Sequence, residues 1–185
     1  MTQTKTFLSQ KGNYKGLIVY QKAECIYDIT YYFAHTFLPA GDRTIDQMVQ
    51  AARSGKQNIA EGSSASTTSS EMEMKLTNVA RASLQELLVD YEDFLRVRGL
   101  EQWSEKDERH LRARKACAAH NNSDYYRELL PTRSAETIAN IAITLIHQTD
   151  YLLQRLLEHQ QENFLKNGGI KEQMYNARIK ARENK

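Results

Sequence analysis

Few residues of this sequence have the spacing that catalysis or metal binding requires. The histidines show no HxxxH or HExxH spacing, and the serine-rich stretch 63–70 has neither a GxSxG elbow nor an accompanying histidine. There is also no GxGxxG and no phosphate-binding loop, because Gly62-Ser63-Ser64 lacks a following Lys-Thr. We therefore predict that the protein is not an enzyme and that it uses no metal or other cofactor.

The segment Asn-Ile-Ala-Glu-Gly, which contains Asn58, Glu61 and Gly62, is the most distinctive short motif. Asn58 and Glu61 are three residues apart, so a helix would place them on one face, where they could bind a ligand, a partner or a metal. We favour the alternative that both side chains hydrogen-bond loop backbone at the end of a helix, with Gly62 left-handed just beyond it. Gly55, one turn earlier, predicts a close approach to a neighbouring helix.

Basic side chains form two clusters that could contact nucleic-acid phosphates, and Tyr125, Tyr126 and Tyr175 could stack on bases. The first cluster is Arg109, Arg112, Arg114 and Lys115, and the second is Lys171, Arg178, Lys180, Arg182 and Lys185. Acidic neighbours dilute the first cluster, and for these patches we favour solvated helix faces over nucleic-acid binding. The net charge of +2 does not by itself indicate a nucleic-acid partner.

Periodic apolar residues predict the elements that would position these groups. Four long helices are expected at residues 14–37, 44–61, 71–97 and 135–166. Ser70 and Glu73 predict a capping box for the third helix. The resulting fold class is all-α, an antiparallel up-and-down four-helix bundle that occupies residues 1–166.

Two further segments extend this pattern. Residues 100–134 predict an insert between helices three and four, with a helix from Ser104, its N-cap, to Ala119. Residues 167–185 form a basic C-terminal tail, in which a short amphipathic helix is expected from residue 170.

The fourth long helix is apolar on two sides. Its second stripe consists of Ile143, Ile146, Leu153 and Leu157. A helix with two apolar faces needs two partners. We therefore predict a homo-oligomer that associates through the outer faces of helices one and four, with Ile146, Leu153 and Leu157 as interface candidates.

Length and composition indicate one domain large enough to bury a core without disulfides. Cys25 and Cys117 fit no CxxC or metal-binding spacing, so we expect reduced core thiols. The sequence has no 18-residue apolar run and no signal-peptide pattern near its start. A cytoplasmic protein without a membrane partner is the expectation.

The segment QMVQAARSGKQNIAEG, residues 47–62, resembles the signature of the four-helix-bundle proteins encoded in intervening sequences of bacterial 23S ribosomal RNA genes. That family is similar to the accessory variability proteins of diversity-generating retroelements. The resemblance covers residues 14–95 and 135–161, and the tail resembles a C-terminal suffix found on some members. It implies a bundle that assembles into homo-oligomers, with a pentamer favoured, and no settled activity.

These observations favour a non-enzymatic scaffold that binds RNA or DNA, because an oligomer repeats each modest basic patch and so raises avidity. The alternative is a protein-binding adaptor or accessory subunit without direct nucleic-acid contact.

Overall fold

A computed structural model describes residues 13–183 of the chain, and those residues contain helices and no β-strand. The α-helices are α1 (Ile18–Phe37), α2 (Arg43–Ala65), α3 (Ser70–Val97), α4 (Glu108–Ala119), α5 (Ser123–Leu129), α6 (Ala135–Asn167) and α7 (Ile170–Glu183). Short 3-10 turns, Tyr14–Gly16 and Leu130–Thr132, precede α1 and α6. The prediction of an all-helical fold is confirmed, and Lys185 lies outside the described residues.

Side-chain caps fix where the helices begin, and two of them differ from the prediction. The Ser69 hydroxyl, not that of Ser70, accepts a hydrogen bond from the Met72 amide at 3.1 Å, so the predicted capping box is one residue out of register. The carboxylate of Asp107, not Ser104, caps α4 by accepting from the Arg109 amide at 2.7 Å. Ionised Asp is a strong cap because it faces the positive end of the helix dipole.

Gly62 does not end α2. The helix continues to Ala65, and Gly62 is buried against the start of α3, where a Cβ would lie 3.4 Å from the Leu76 Cβ. Among the described glycines, the positive φ angles belong to Gly41, Gly99 and Gly168, so the left-handed role predicted for Gly62 is wrong. A lack of side chain at the α2–α3 contact explains this glycine instead.

Gly55 lies at the same α2–α3 contact, about two helical turns before Gly62. A Cβ there would lie 2.8 Å from the Leu84 Cδ2 of α3, so the predicted close approach is confirmed. Two glycines therefore let α2 and α3 pack closely along much of their length.

The long helices contact one another in the order α1, α2, α3, α6 and back to α1, while α4 packs on α6 and α5 on α1. Their facing sides supply the core, whose largest fully buried side chains include Phe33, Met48, Leu84, Tyr91 and Leu145. Buried polar side chains form hydrogen bonds between helices inside this core. The Tyr91 hydroxyl donates to the Thr30 hydroxyl at 3.0 Å.

The second apolar stripe of α6 is not an outer face, which corrects the interface prediction. Ile146 and Leu153 are 0% exposed and Leu157 is 7% exposed within the single chain. With 3.6 residues per turn, these positions drift onto the core side of a helix this long. The insert also covers part of α6, because α4 packs beside it.

Candidate functional site

The Asn58–Glu61 motif is not assembled into a binding site. The Asn58 side-chain amide donates to the Ser54 carbonyl oxygen at 2.8 Å, one turn back in α2, and Ser54 in turn shares a 2.9 Å hydrogen bond with the Ser83 hydroxyl of α3. Glu61 is exposed to solvent. The predicted hydrogen bonds of Asn58 and Glu61 to loop backbone are not seen in the part of the chain that the structure describes, and Asn58 instead bonds within α2 beside the α2–α3 contact.

Arg109 is occupied by neighbouring carboxylates and is a poor candidate for binding phosphate. Its guanidinium pairs with Asp107 at 2.6 Å and Glu101 at 2.7 Å, and it lies over the Trp103 ring. The hydrogen bonds that its guanidinium donates, first to Asp107 and then to Glu101, raise the pKa of Arg109. These contacts hold residues 101–103 against the start of α4.

The other basic residues of α4 remain at the surface. Arg112 pairs with Glu108 at 3.4 Å, with both side chains well exposed. Arg114 and Lys115 are exposed as well. The predicted cluster thus divides into one arginine that braces the insert and three cations that face solvent.

The C-terminal helix α7 presents a more coherent basic face. Lys171, Tyr175, Arg178 and Arg182 follow one another at spacings of four, three and four residues, so they lie on one side of the helix. All four are exposed. Lys180 is also exposed but projects from a different side, half a turn from Arg178.

Sequence reasoning missed Lys22, a lysine only 4% exposed. Its Nζ donates to the Cys117 carbonyl oxygen at 2.6 Å and to the Gln148 Oε1 at 3.1 Å, and burial lowers the pKa of Lys22. An ammonium at the C-terminal end of α4 meets the negative end of the helix dipole. The available signal was the position of Lys22 between Val19 and Ile26, inside the apolar stripe of α1.

Lys22 lines a cleft of about 1020 Å³ between the insert, α1 and α6. The walls combine apolar and polar side chains, among them Ile143, Leu152, Trp103 and Arg114. The buried Trp103 Nε1 has no hydrogen-bond partner among the described residues. An unpaired buried donor costs about 1–3 kcal/mol, and this N–H is enclosed by the protein and not open to the cleft.

Asn140 fixes the position of Trp103 in this wall. Its Oδ1 accepts from the Trp103 backbone amide at 2.8 Å, and its Nδ2 donates to the Glu101 carbonyl oxygen at 2.8 Å. Asn140 is buried on α6, so the 101–103 segment is bound to a rigid element. The geometry of the wall is therefore set before any ligand arrives.

Within residues 13–183, no group of three or more His, Cys, Asp and Glu side chains is arranged to hold a metal ion. Cys25 and Cys117 are free and buried, as predicted. Burial raises the pKa of the Cys25 thiol to about 12, which makes it a weak nucleophile at neutral pH.

Comparison with known proteins adds no relative: no family model, no curated protein and no solved structure matches this chain. The resemblance to proteins of the ribosomal intervening sequences therefore stays a prediction. In the described part of the chain, no helix combines the length and the apolar character needed to cross a membrane.

Proposed function

We propose that the protein is a non-enzymatic helical scaffold that binds RNA or DNA through the exposed basic face of α7. In this proposal α1, α2, α3 and α6 form an antiparallel up-and-down four-helix bundle, with α4 and α5 as its insert and α7 as an appended recognition helix. The observation that carries the proposal is the alignment of Lys171, Arg178 and Arg182 with Tyr175 on one side of α7.

This face suits a nucleic acid because it combines cations with an aromatic ring. Lysine and arginine neutralise backbone phosphates, and an exposed tyrosine can stack on an unpaired base. Tyr175 is 66% exposed, so its ring is accessible. Contacts of this type do not recognise a base sequence. We therefore expect binding to depend on the form of the nucleic acid, with single-stranded or structured RNA preferred.

Self-association would strengthen such binding. A homo-oligomer presents several copies of α7, and multivalent contact raises avidity without a strong single patch. The interface must use exposed side chains, since Ile146, Leu153 and Leu157 are buried in the core. Tyr31 of α1 and Tyr151 of α6, which are 50% and 65% exposed, are the replacement candidates on the two predicted helices.

Fluorescence anisotropy with a structured RNA and a DNA duplex, at low and physiological salt, tests the proposal. The variant Lys171→Gln/Arg178→Gln/Arg182→Gln should weaken binding at least about tenfold and reduce the log–log salt slope on duplex DNA by about 2–3. The matched control, Arg112→Gln/Arg114→Gln/Lys115→Gln, removes the same charge from α4 and should bind nearly as the unmodified chain does. Equal losses in the two variants would mean that only net charge matters and would overturn the assignment to α7.

A protein-binding adaptor is the second candidate, and a specific feature favours it. Leu165, Met174 and Ile179 expose apolar surface near the end of the chain, and Leu165 is 84% exposed. Apolar residues in this arrangement suit a partner helix or groove. If the unmodified chain shows no salt-sensitive nucleic-acid binding, the adaptor function replaces the proposal.

A further inference from the structure

The cleft between the insert and α6 has the charge of an anion-binding site. Lys22, Arg114, His110 and His147 line it, and the one carboxylate among its described lining residues is Glu105. Two basic side chains, Lys22 and Arg114, therefore line the cleft with a single acidic one. This balance favours a ligand that carries negative charge.

Lys22 also favours an anionic ligand, because its ammonium group is buried without a counter-ion. Both of its acceptors, the Cys117 carbonyl oxygen and the Gln148 side-chain amide oxygen, are neutral. An ammonium has three N–H donors, so these two contacts leave one available. Buried charges in proteins are normally paired, and within residues 13–183 the structure gives Lys22 no carboxylate partner.

The rest of the lining is partly apolar and indicates that the ligand also has an apolar part. Ile18, Ile143 and Leu152 make part of the cleft apolar, and the indole ring of Trp103 adds a flat surface. We propose that this cleft binds a small organic anion, a carboxylate attached to an apolar body, with Lys22 and Arg114 attracting the carboxylate and the apolar side chains packing against the body.

A purely structural role for Lys22 is the competing explanation. Lys22 and Gln148 together fasten α4, because Gln148 Nε2 also donates to the Arg114 carbonyl oxygen at 2.9 Å. That role accounts for the hydrogen bonds of Lys22 but not for the excess of cationic side chains in the cleft or for its volume of about 1020 Å³. The two explanations differ in whether an anion binds at all.

The protein contains its own reporter, since Trp103 is the only tryptophan in the sequence. Intrinsic fluorescence of the full chain is titrated with sodium octanoate and, separately, with octan-1-ol, which has a tail of the same length and no charge. We expect octanoate to change the emission saturably and to bind at least about tenfold more tightly than octanol, because a carboxylate forms charge-assisted hydrogen bonds. Equal affinities, or no saturable response to octanoate, would overturn the proposal.

Two variants on α4 locate the binding. Arg114 lines the cleft whereas Lys115, its exposed neighbour, does not, so Arg114→Gln and Lys115→Gln remove the same charge from the same helix. Arg114→Gln should weaken octanoate binding about threefold or more and leave octanol unchanged, and Lys115→Gln should change neither. Equal effects of the two substitutions would show that octanoate responds to overall charge and not to this cleft.

Lys22→Met provides the more severe test because it keeps the length of the side chain and removes its charge. We expect it to abolish the preference for octanoate over octanol, with circular dichroism showing that the helices persist. A folded Lys22→Met variant that retains the preference would overturn the assigned role of Lys22. Titration with inorganic phosphate separates the two parts of the ligand, since phosphate binding as tight as that of octanoate would eliminate the apolar body from the proposal.

Discussion

The long helices are held together mainly by apolar packing, whereas the insert adds polar contacts to the core packing of Cys117, Tyr126 and Leu130. α2 and α3 meet through two glycines and interlocking aliphatic side chains, as at Gly55 and Leu84. The insert is fastened by side chains of α1 and α6 that bind its backbone, chiefly Lys22, Asn140 and Gln148. Apolar packing is spread over many atoms, whereas each polar clamp depends on one or two atom pairs. Single substitutions of these polar residues should therefore loosen residues 101–119 while the long helices stay folded.

Leu153→Ala should produce the largest effect, because it removes packing from the shared core. Leu153 is fully buried on α6, and a Leu→Ala change at such a site costs about 2–5 kcal/mol in unfolding free energy. Urea denaturation followed by circular dichroism measures this loss. The control is Tyr151→Ala, two residues away and exposed, which should change stability by less than about 1 kcal/mol.

The same pair separates a core role from an interface role. Light scattering should show that Leu153→Ala leaves the oligomeric state of the folded protein unchanged, since its side chain is not at the surface. Dissociation of an oligomer by Leu153→Ala at undiminished stability would restore the original interface assignment. Dissociation by Tyr151→Ala would instead identify the outer side of α6 as the interface.

The two kinds of contact also explain what the sequence could predict. Helix-period apolar residues located α1, α2, α3 and α6 to within a few residues, and Gly55 indicated a close approach. The left-handed conformation predicted for Gly62 was wrong because a glycine near the end of a periodic stretch can serve either a cap or a close contact. α5 was missed because its seven residues are too few for a periodic pattern.

The candidate cleft was not predicted because its components are distant in sequence. Lys22 lies 95 residues from Cys117 and 126 residues from Gln148, and no local pattern reports such pairs. The sequence shows that α4 carries several basic residues, but it does not show which of them pair with carboxylates and which face solvent. Whether an arginine braces the fold or faces solvent depends on carboxylates that folding brings near, as Glu101 is brought to Arg109.

Asn140→Ala should loosen the insert while leaving the long helices folded. The substitution removes hydrogen bonds to the Trp103 amide and the Glu101 carbonyl, and groups left unpaired in this way cost about 1–3 kcal/mol. Trp103 emission should shift to longer wavelength as the indole becomes wetter. Asn163→Ala, an exposed position on the same helix, is the control and should leave the emission unchanged. An unaltered spectrum in Asn140→Ala would mean that the insert is held mainly by apolar packing.

Alkaline pH should test how tightly the insert and α1 enclose the Cys25 thiol. Burial raises the pKa of Cys25 from 9.0 to about 12, so the folded state holds this proton more strongly than the unfolded state does. Its contribution to stability is complete below pH 9 and is lost as the pH rises from 9 to 12. By pH 10 the loss from this group is about 1.4 kcal/mol.

Urea denaturation at pH 7 and pH 10, with and without Cys25→Ala, isolates that contribution. The unmodified chain should lose more stability over this interval than the variant, because other alkaline titrations are common to both. Equal losses would indicate that water reaches the thiol, and hence that α5 does not seal this part of α1.

The smallest effects are expected from two arginines of α4 that lie three residues apart. Arg112 and its partner Glu108 are both well exposed, and such pairs contribute about 0–1 kcal/mol, so Arg112→Ala should hardly alter unfolding or Trp103 emission. Arg109→Ala should change the Trp103 emission, because its guanidinium lies over the ring and joins Glu101 to Asp107. Fluorescence spectra of the two folded variants make the comparison at matched charge. If both variants gave the same spectrum as the unmodified chain, Arg109 would belong with the solvated cations, and its availability to a nucleic acid would have to be reconsidered.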